Sequence, residues 1–232
     1  MRLAVELINL DNKIIPYDYP TAVRESILGI VHQKDPSLAG RLHDNDADVF
    51  NFSQLLGRGK ASEDGIRLWR ARLYVSSTSL EFIKAFATTV MLDPLFKIGE
   101  IRFAVSNIQR LPELPSNSRN GLKLKTLSPI IVRNKTLDRY LYLNDLEFPD
   151  SLSYSIKHRF ERTCGSSPKG DITINPITET FHKKRIKIKN EFHNCSLGEL
   201  IIKAPPEVIQ FISDAGLGMK PKFGFGFMGV AK

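Results

Sequence analysis

Near the end of the chain, the twelve residues Gly216-Leu-Gly-Met-Lys-Pro-Lys-Phe-Gly-Phe-Gly-Phe227 set four glycines around two lysines. Glycine lets a backbone approach a phosphate closely and turn its N–H groups toward it, and lysine adds point charge. Phe223, Phe225 and Phe227 are placed either to stack on bases or to pack inward. The chemistry this favours is anion binding; the alternative is a glycine-rich hairpin of purely structural use. It is not a phosphate-binding P-loop, because no Gly-Lys-Ser/Thr ending occurs and a strand is expected after it. Nor is it a dinucleotide fingerprint, which needs a strand before and a helix after.

A second charged feature lies upstream. Phe181 to Lys189 is FHKKRIKIK, five cations in nine residues with no acid. The R-I-K-I-K run alternates apolar and basic with period two, the pattern of a half-buried strand with Ile186 and Ile188 inward and cations on the open face. Lys183, Lys184, Arg185, Lys187 and Lys189 in that arrangement form a footprint for a polyanion. They would equally suit a solvated edge strand that uses lysine against aggregation.

The whole chain has 232 residues, 33 Lys+Arg against 25 Asp+Glu, and a net charge of +8. The surplus is uneven: the first fifty residues carry 5 basic and 8 acidic residues, the last 53 carry 9 and 4. At 42% hydrophobic residues the chain is too apolar for disorder. It has no apolar run long enough for a membrane span and no secretory signal pattern, so a soluble, cytoplasmic protein is expected. Cys164 and Cys195 are too few for a disulfide framework or a cysteine-rich zinc site. The acidic run Asp44, Asp46, Asp48 lacks the glycine and terminal glutamate of a calcium loop. No metal and no cofactor are expected.

The elements that must position these features repeat in order. Residues 2–8 alternate as a strand, and Pro20 opens a helix through TAVRESILGIVHQ. Val49 to Leu56 and Ile66 to Val75 are expected as strands joined by the loop GRGKASEDG. A helix over residues 79–92 and a strand from Ile98 to Ile108 complete a β-α-β-β-α-β unit, the ferredoxin-like order. After the connector LPELPSNSRNG the order recurs. Leu122 to Arg133 is strand-like, and Pro149 opens a helix. Phe181 to Phe192 and Ser196 to Lys203 are strand-like with a turn at His193-Asn194. Pro205-Pro206 open a short helix that stops at Gly216, and Phe223 to Val230 is the last strand. The expectation is an α+β chain of two tandem ferredoxin-like domains, residues 1–115 and 122–232, the second carrying the glycine-rich loop.

The segment GLGMKPKFGFGF matches without a gap the terminal loop G-Φ-G-x-K/R-x-x-x-G-Φ-G-F (Φ apolar) of the CRISPR-associated repeat RNA endoribonucleases of the RAMP superfamily. MRLAVELINLDNKIIPYDY, DPSLAGRLHD, VFNFSQLLG, TLSPIIVR and HKKRIKIK resemble that family too, so the likeness covers both halves. The resemblance implies binding of CRISPR repeat RNA and a single metal-independent cut of precursor CRISPR RNA. The attack of a 2′-OH leaves a 2′,3′-cyclic phosphate and a 5′-OH, and the catalyst needs a base, an acid and cations for the phosphorane. It further allows a CRISPR interference complex as partner, and a monomer or homodimer. RNA contact is then assigned to the five cations of the basic strand and to Gly216, Gly218, Lys220, Lys222, Gly224 and Gly226.

Five histidines are available: His32, His43, His158, His182 and His193. His43, at the end of DPSLAGRLHD, occupies the place where the resembling enzymes often carry their catalytic histidine, and it is expected in a polar loop after a helical segment. His32, near the end of the first helix, is the second candidate and is expected in the cleft beside the glycine-rich loop. His182 is expected to contact RNA, and His158 and His193 to be helix-surface and turn residues. The chain departs from its best-equipped relatives: Leu28 stands where they carry a tyrosine on the first helix, and Asp48 near where they carry a lysine. Lys60 or Arg58, or else Lys220, is expected to supply the cation, and Tyr17 and Tyr19 are candidate phenols. A catalytically weak or inactive RNA-binding protein of the same fold is therefore the alternative.

Overall fold

The computed structural model describes residues 1–44, 50–115, 121–134, 136, 138–188 and 191–231, with His43 and Asp44 described in backbone alone. The first half is built on β1 (Arg2–Asn9), whose Leu3, Val5 and Leu7 are buried. Helix α1 (Pro20–Lys34) starts on its proline and buries Val23, Ile27, Ile30 and Val31. Asp35 then starts α2 (Pro36–Asp44): its carboxylate accepts from the Leu38 amide at 2.9 Å and the Ser37 hydroxyl at 2.8 Å. The segment expected to end as a loop at His43 is therefore helical through Asp44.

The next strands are β2 (Phe50–Phe52), β3 (Gly59–Ser62), β4 (Gly65–Leu68) and β5 (Arg70–Ser77). The expected loop GRGKASEDG is thus half of a separate hairpin, β3–β4, fastened by the Ile15–Ile66 backbone pair. Helix α3 (Leu80–Leu92) is capped by Ser79, whose hydroxyl accepts from the Phe82 amide. Strand β6 (Leu95–Ile98) is an added edge before β7 (Ile101–Leu111). The sheet runs β2-β5-β1-β7-β6, all antiparallel.

The second half opens with β8 (Leu122–Thr126), which buries Leu122 and Leu124 and exposes Lys123 and Lys125. The expected strand to Arg133 breaks there; β9 (Val132–Asn134) and β10 (Arg139–Leu141) form a small hairpin. Helix α4 (Phe148–Cys164) is followed by Gly165 at φ 70°, a left-handed stop. Strands β11 (Thr173–Ile188) and β12 (Glu191–Lys203) make a long hairpin. His193 and Asn194 lie inside β12, paired with Ile186 and Arg185, so the turn expected there is strand. Helix α5 (Pro206–Ala215), a 3₁₀ turn η1 (Pro221–Phe223) and β13 (Met228–Val230) finish the chain. The last strand is shorter than expected because the glycines before it hold left-handed turns. The sheet order is β11-β12-β8-β13. Counting each half's repeat of strand, helix, two strands, helix, strand, both sheets carry the ferredoxin-like order of second, third, first and fourth strand.

Each half has its own buried cluster, and the two meet along the ends of β1, β2 and β5. Phe227 stacks on Tyr74 with centroids 5.7 Å apart, and the Arg2 guanidinium lies 4.8 Å over Phe227. Arg2 also donates to the Met228 carbonyl, and the Ser76 hydroxyl donates to that of Asp214 at 2.9 Å.

Candidate functional site

The glycine-rich segment leaves α5 and folds against both halves. Gly216, Gly218, Gly224 and Gly226 all have φ between 71° and 78°, where a side chain is strained. Space forbids one as well. A Cβ on Gly226 would lie 1.8 Å from the Leu217 carbonyl oxygen, and one on Gly224 would lie 2.6 Å from the Phe52 ring. All four glycines are buried, and the amides of Leu217, Met219, Phe223, Gly224, Gly226 and Phe227 donate within the protein. The glycines therefore shape the loop, and its charge is carried by Lys220 and Lys222. Phe225 and Phe227 are buried rather than offered to bases, and Phe223 lies under the Arg24 guanidinium of α1 at 5.2 Å.

Two features set the lysines. Lys220 itself is left-handed at φ 58°, ψ 43°, a conformation that costs a non-glycine residue roughly 1 kcal/mol. Beneath the loop, Arg159 of α4 is only 6% exposed and donates to the carbonyls of Ala215 (2.7 Å), Gly218 (2.8 Å) and Gly216 (3.0 Å). Ala215 is the last residue of α5 and Gly216 its C-cap, so one guanidinium satisfies part of a helix terminus and, through Gly218, fixes the start of the loop. Sequence reasoning missed Arg159. Its signal was an arginine set within the apolar stripe Leu152, Ile156, Phe160 of α4.

Of the candidates for proton transfer, position 43 is the one the backbone brings to the loop. Lys222 Nζ donates to the carbonyl of Leu42, the preceding residue on α2, at 3.4 Å. The His43 side chain, Asp46, Asp48 and Lys189 lie outside the described residues. His32 is exposed at the opposite end of the α1–α2 pair, eight residues and about 12 Å of helix beyond Arg24. It does not share the loop's surroundings as expected. Lys60 is farther away: its hairpin joins the sheet at the Arg70 end of β5, whereas the loop sits at the Val75–Ser76 end, roughly 20 Å along the strand. Tyr17 donates to the Ser62 carbonyl on that hairpin. Tyr19 is buried, its hydroxyl accepts from the Leu55 amide, and burial pushes its pKa up to about 12. Leu28 is packed in the first core. Among the described residues no group of three or more His, Cys, Asp or Glu gathers to hold a metal, and no helix is long and apolar enough to cross a membrane.

The basic strand lies on β11, an edge of the second sheet. Lys183, Arg185 and Lys187 project from one face, opposite Ser196, Asn194 and Phe192. Lys183 Nζ sits 4.7 Å over Tyr142, and Arg185 lies 4.3 Å over exposed Phe192. The opposite face turns Ile186, Ile188 and His193 inward toward Phe225, Met219 and Tyr140, so the hairpin packs on the loop. Lys184 shares that inward parity yet is exposed at the edge, as is His182 on the strand. His193 is 2% exposed, hydrogen-bonds to the Tyr140 hydroxyl through Nδ1 at 2.9 Å and leaves Nε2 3.7 Å from Glu191. Burial, and next the Lys220 ammonium, lower its pKa, against a smaller opposing pull from Glu191. It is a core histidine, not a turn residue.

Comparison with known proteins agrees with this architecture. Family models for the C-terminal and N-terminal parts of the CRISPR-associated protein Cas6 match residues 111–230 and 14–109. The chain is 31% identical to the CRISPR-associated endoribonuclease-like protein Cas6nc of Pyrococcus horikoshii, over 98% of each chain. It is 29% identical to the CRISPR-associated endoribonuclease Cas6 1 of Methanocaldococcus jannaschii, over 98% of this chain and 92% of that one. Among solved structures, the product of a Cas6-related gene from Pyrococcus furiosus superposes with a TM-score of 0.87 at 27% identity, covering 100% of this chain and 98% of that one. A RAMP protein described as binding different RNA substrates gives 0.85 at 30% identity, with both chains fully covered. Two tandem ferredoxin-like sheets, matched from end to end in sequence and in fold, mean that this chain belongs to the Cas6 family of CRISPR-associated endoribonucleases.

Proposed function

We propose that this protein binds CRISPR repeat RNA and cuts precursor CRISPR RNA by attack of a 2′-OH on the adjacent phosphate, without metal or cofactor. The products are a 2′,3′-cyclic phosphate and a 5′-OH. The observation that carries the reading is the meeting of α2 and the glycine-rich loop, with Lys222 on the carbonyl that precedes His43. On this reading His43 is the general acid or base, a role that typically contributes 10²–10⁴-fold. Lys222 and Lys220 stabilise charge on the phosphorane. The cations Lys183, Arg185 and Lys187, with Lys184 and Lys189, hold the RNA backbone. Residues 1–115 and 122–232 act as two domains that clamp the substrate. The protein works in the cytoplasm, as a monomer or homodimer, and passes its product to a CRISPR interference complex.

A second reading is favoured by Leu28, which is buried in the core where better-equipped relatives present a phenol. It is an RNA-binding protein of this fold that cleaves slowly or not at all. One experiment separates the two. Labelled repeat RNA is incubated in EDTA with wild type and with His43→Ala. Cleavage by wild type to a cyclic phosphate, lost in the variant while binding persists, supports the first reading. Binding without cleavage by wild type supports the second and sinks the first.

A further inference from the structure

Helix α4 turns Tyr154, His158 and Arg162 outward at four-residue steps, so they follow one another along one face for about 12 Å. This column is one wall of a groove of about 1040 Å³, closed by the β9–β10 hairpin and by Gly218–Phe223 of the glycine-rich loop. Tyr154 is 62% exposed, and its ring lies 6.2 Å from that of His158 at an interplanar angle of 23°. Across the groove, Arg133 is held in place from two sides. Its guanidinium is 5.7 Å over the Tyr140 ring and donates to Asp138 at 2.5 Å.

The lining identifies the class of ligand. Among the described residues, and besides buried Arg159, the groove is lined by the cations Arg133, Arg162, Lys220 and Lys222 against the carboxylates Asp138 and Asp150. An open, net-positive trough favours an extended polyanion over a small apolar molecule. A near-parallel pair of exposed rings beside those cations is the arrangement that binds unpaired bases, because every base has a π-face and a paired base does not offer it. Lys222 lines the groove and also donates to the Leu42 carbonyl near the end of α2, at 3.4 Å.

We propose that this groove is a stacking subsite for the single-stranded RNA that adjoins the scissile phosphate, with Tyr154 and His158 as the platform and Arg133 and Arg162 on the phosphates. This rests on the RNA-cleavage reading, because it places that phosphate at the end of α2. A strand leaving that point meets Lys222, then Lys220, then the α4 column. Stacking of this kind is tolerant of sequence, so the subsite sets the path of the strand rather than its identity.

The test measures RNA affinity for wild type, for the double variant Tyr154→Ala/His158→Ala and for Tyr154→Phe. Three RNAs are used: a full repeat with both flanks, and two versions shortened to the cleavage position from either side. The double variant is expected to bind the full repeat about 10- to 100-fold more weakly, as the loss of one or two stacked bases implies. One shortened RNA should abolish that difference and the other preserve it, and Tyr154→Phe should bind like wild type. A double variant that binds all three RNAs as wild type does, or that loses equally on all three, overturns the subsite. If the double variant fails to fold, Arg162→Gln is expected to weaken the full repeat while sparing one shortened RNA, and equal loss on all three again overturns it. Failure of wild type to bind any of the RNAs would instead sink the RNA reading as a whole.

Discussion

Replacing Arg159 by methionine keeps the length and much of the volume of the side chain but removes every donor. Three carbonyls, those of Ala215, Gly216 and Gly218, then lose contacts of 2.7, 3.0 and 2.8 Å at a site that is 6% exposed on the arginine side. Hydrogen bonds to a charged group contribute about 1.5–3 kcal/mol each, and a buried acceptor left without a donor costs about 1–3 kcal/mol. The contributions are not additive, and removing the guanidinium also removes the cost of its own desolvation. The expected net loss is therefore about 3–5 kcal/mol, which for a chain of this size lowers the melting temperature by about 10 °C. Arg159→Lys keeps the charge but not the planar fork, so one ammonium cannot serve three carbonyls equally and an intermediate loss is expected. Equilibrium urea unfolding of wild type and both variants provides the magnitudes, and repeat RNA affinity measured well below the unfolding midpoint reports on the loop. Stability of Arg159→Met within about 1 kcal/mol of wild type would mean instead that water or neighbouring groups satisfy those carbonyls, and that Arg159 does not hold the loop.

Two further outcomes follow from the same region. Lys220→Gly should leave stability unchanged or raise it by up to about 1 kcal/mol, because glycine relieves the left-handed backbone at φ 58°. The same variant should weaken RNA binding and flatten its salt dependence by roughly one phosphate contact; parallel loss of stability and binding would contradict this. Below the ordinary imidazole range near pH 6.5 the unfolded chain protonates His193 while the folded state, with its pKa lowered by burial and by Lys220, resists. The unfolded state then binds more protons, so His193 costs nothing at about pH 7.5 and destabilises progressively as the pH falls through that window. Chemical unfolding at about pH 7.5 and about pH 5.5 should show a larger decline for wild type than for His193→Gln, and equal declines would remove His193 as the cause.

The repeated order of elements was legible because its boundaries are local. Pro20, Pro149 and Pro206 sit in the first turns of α1, α4 and α5, and Gly216 ends α5, so helix starts and stops are written in single residues. The alternation of Ile186 and Ile188 with cations placed the basic face correctly. What was not legible depends on partners distant in sequence. The β3–β4 hairpin is built from Gly, Lys and Ser that resemble a loop, and it is held by Ile15, some fifty residues earlier. His193-Asn194 has the composition of a turn, yet pairing with Arg185 and Ile186 and burial against Tyr140 keep it in a strand. The glycines signalled close approach, and the atoms a Cβ would meet there belong to Phe52, Ile131, Asn51 and the loop's own Leu217, all distant in sequence or set by the loop's fold.

That packing bears on where the catalytic power of the proposed reaction arises. With the amides of Leu217, Met219, Phe223, Gly224, Gly226 and Phe227 bonded within the protein and Leu28 in place of a phenol, the groups this reading assigns to the phosphate are one imidazole and two ammoniums. General acid–base catalysis by one residue contributes about 10²–10⁴-fold, well short of what a fast nuclease needs. The remainder has to come from holding the 2′-OH in line with its phosphate, and binding energy from remote parts of the substrate can supply that. On the proposed reading the β11 cations hold the RNA backbone and the α4 groove holds the strand that adjoins the scissile phosphate, so the substrate is held at two places besides the reacting bond. Shortening the RNA at either grip should then lower the single-turnover rate as well as the affinity. If affinity alone falls, the grips bind substrate and transition state equally, and the rate is set at His43 and the two lysines.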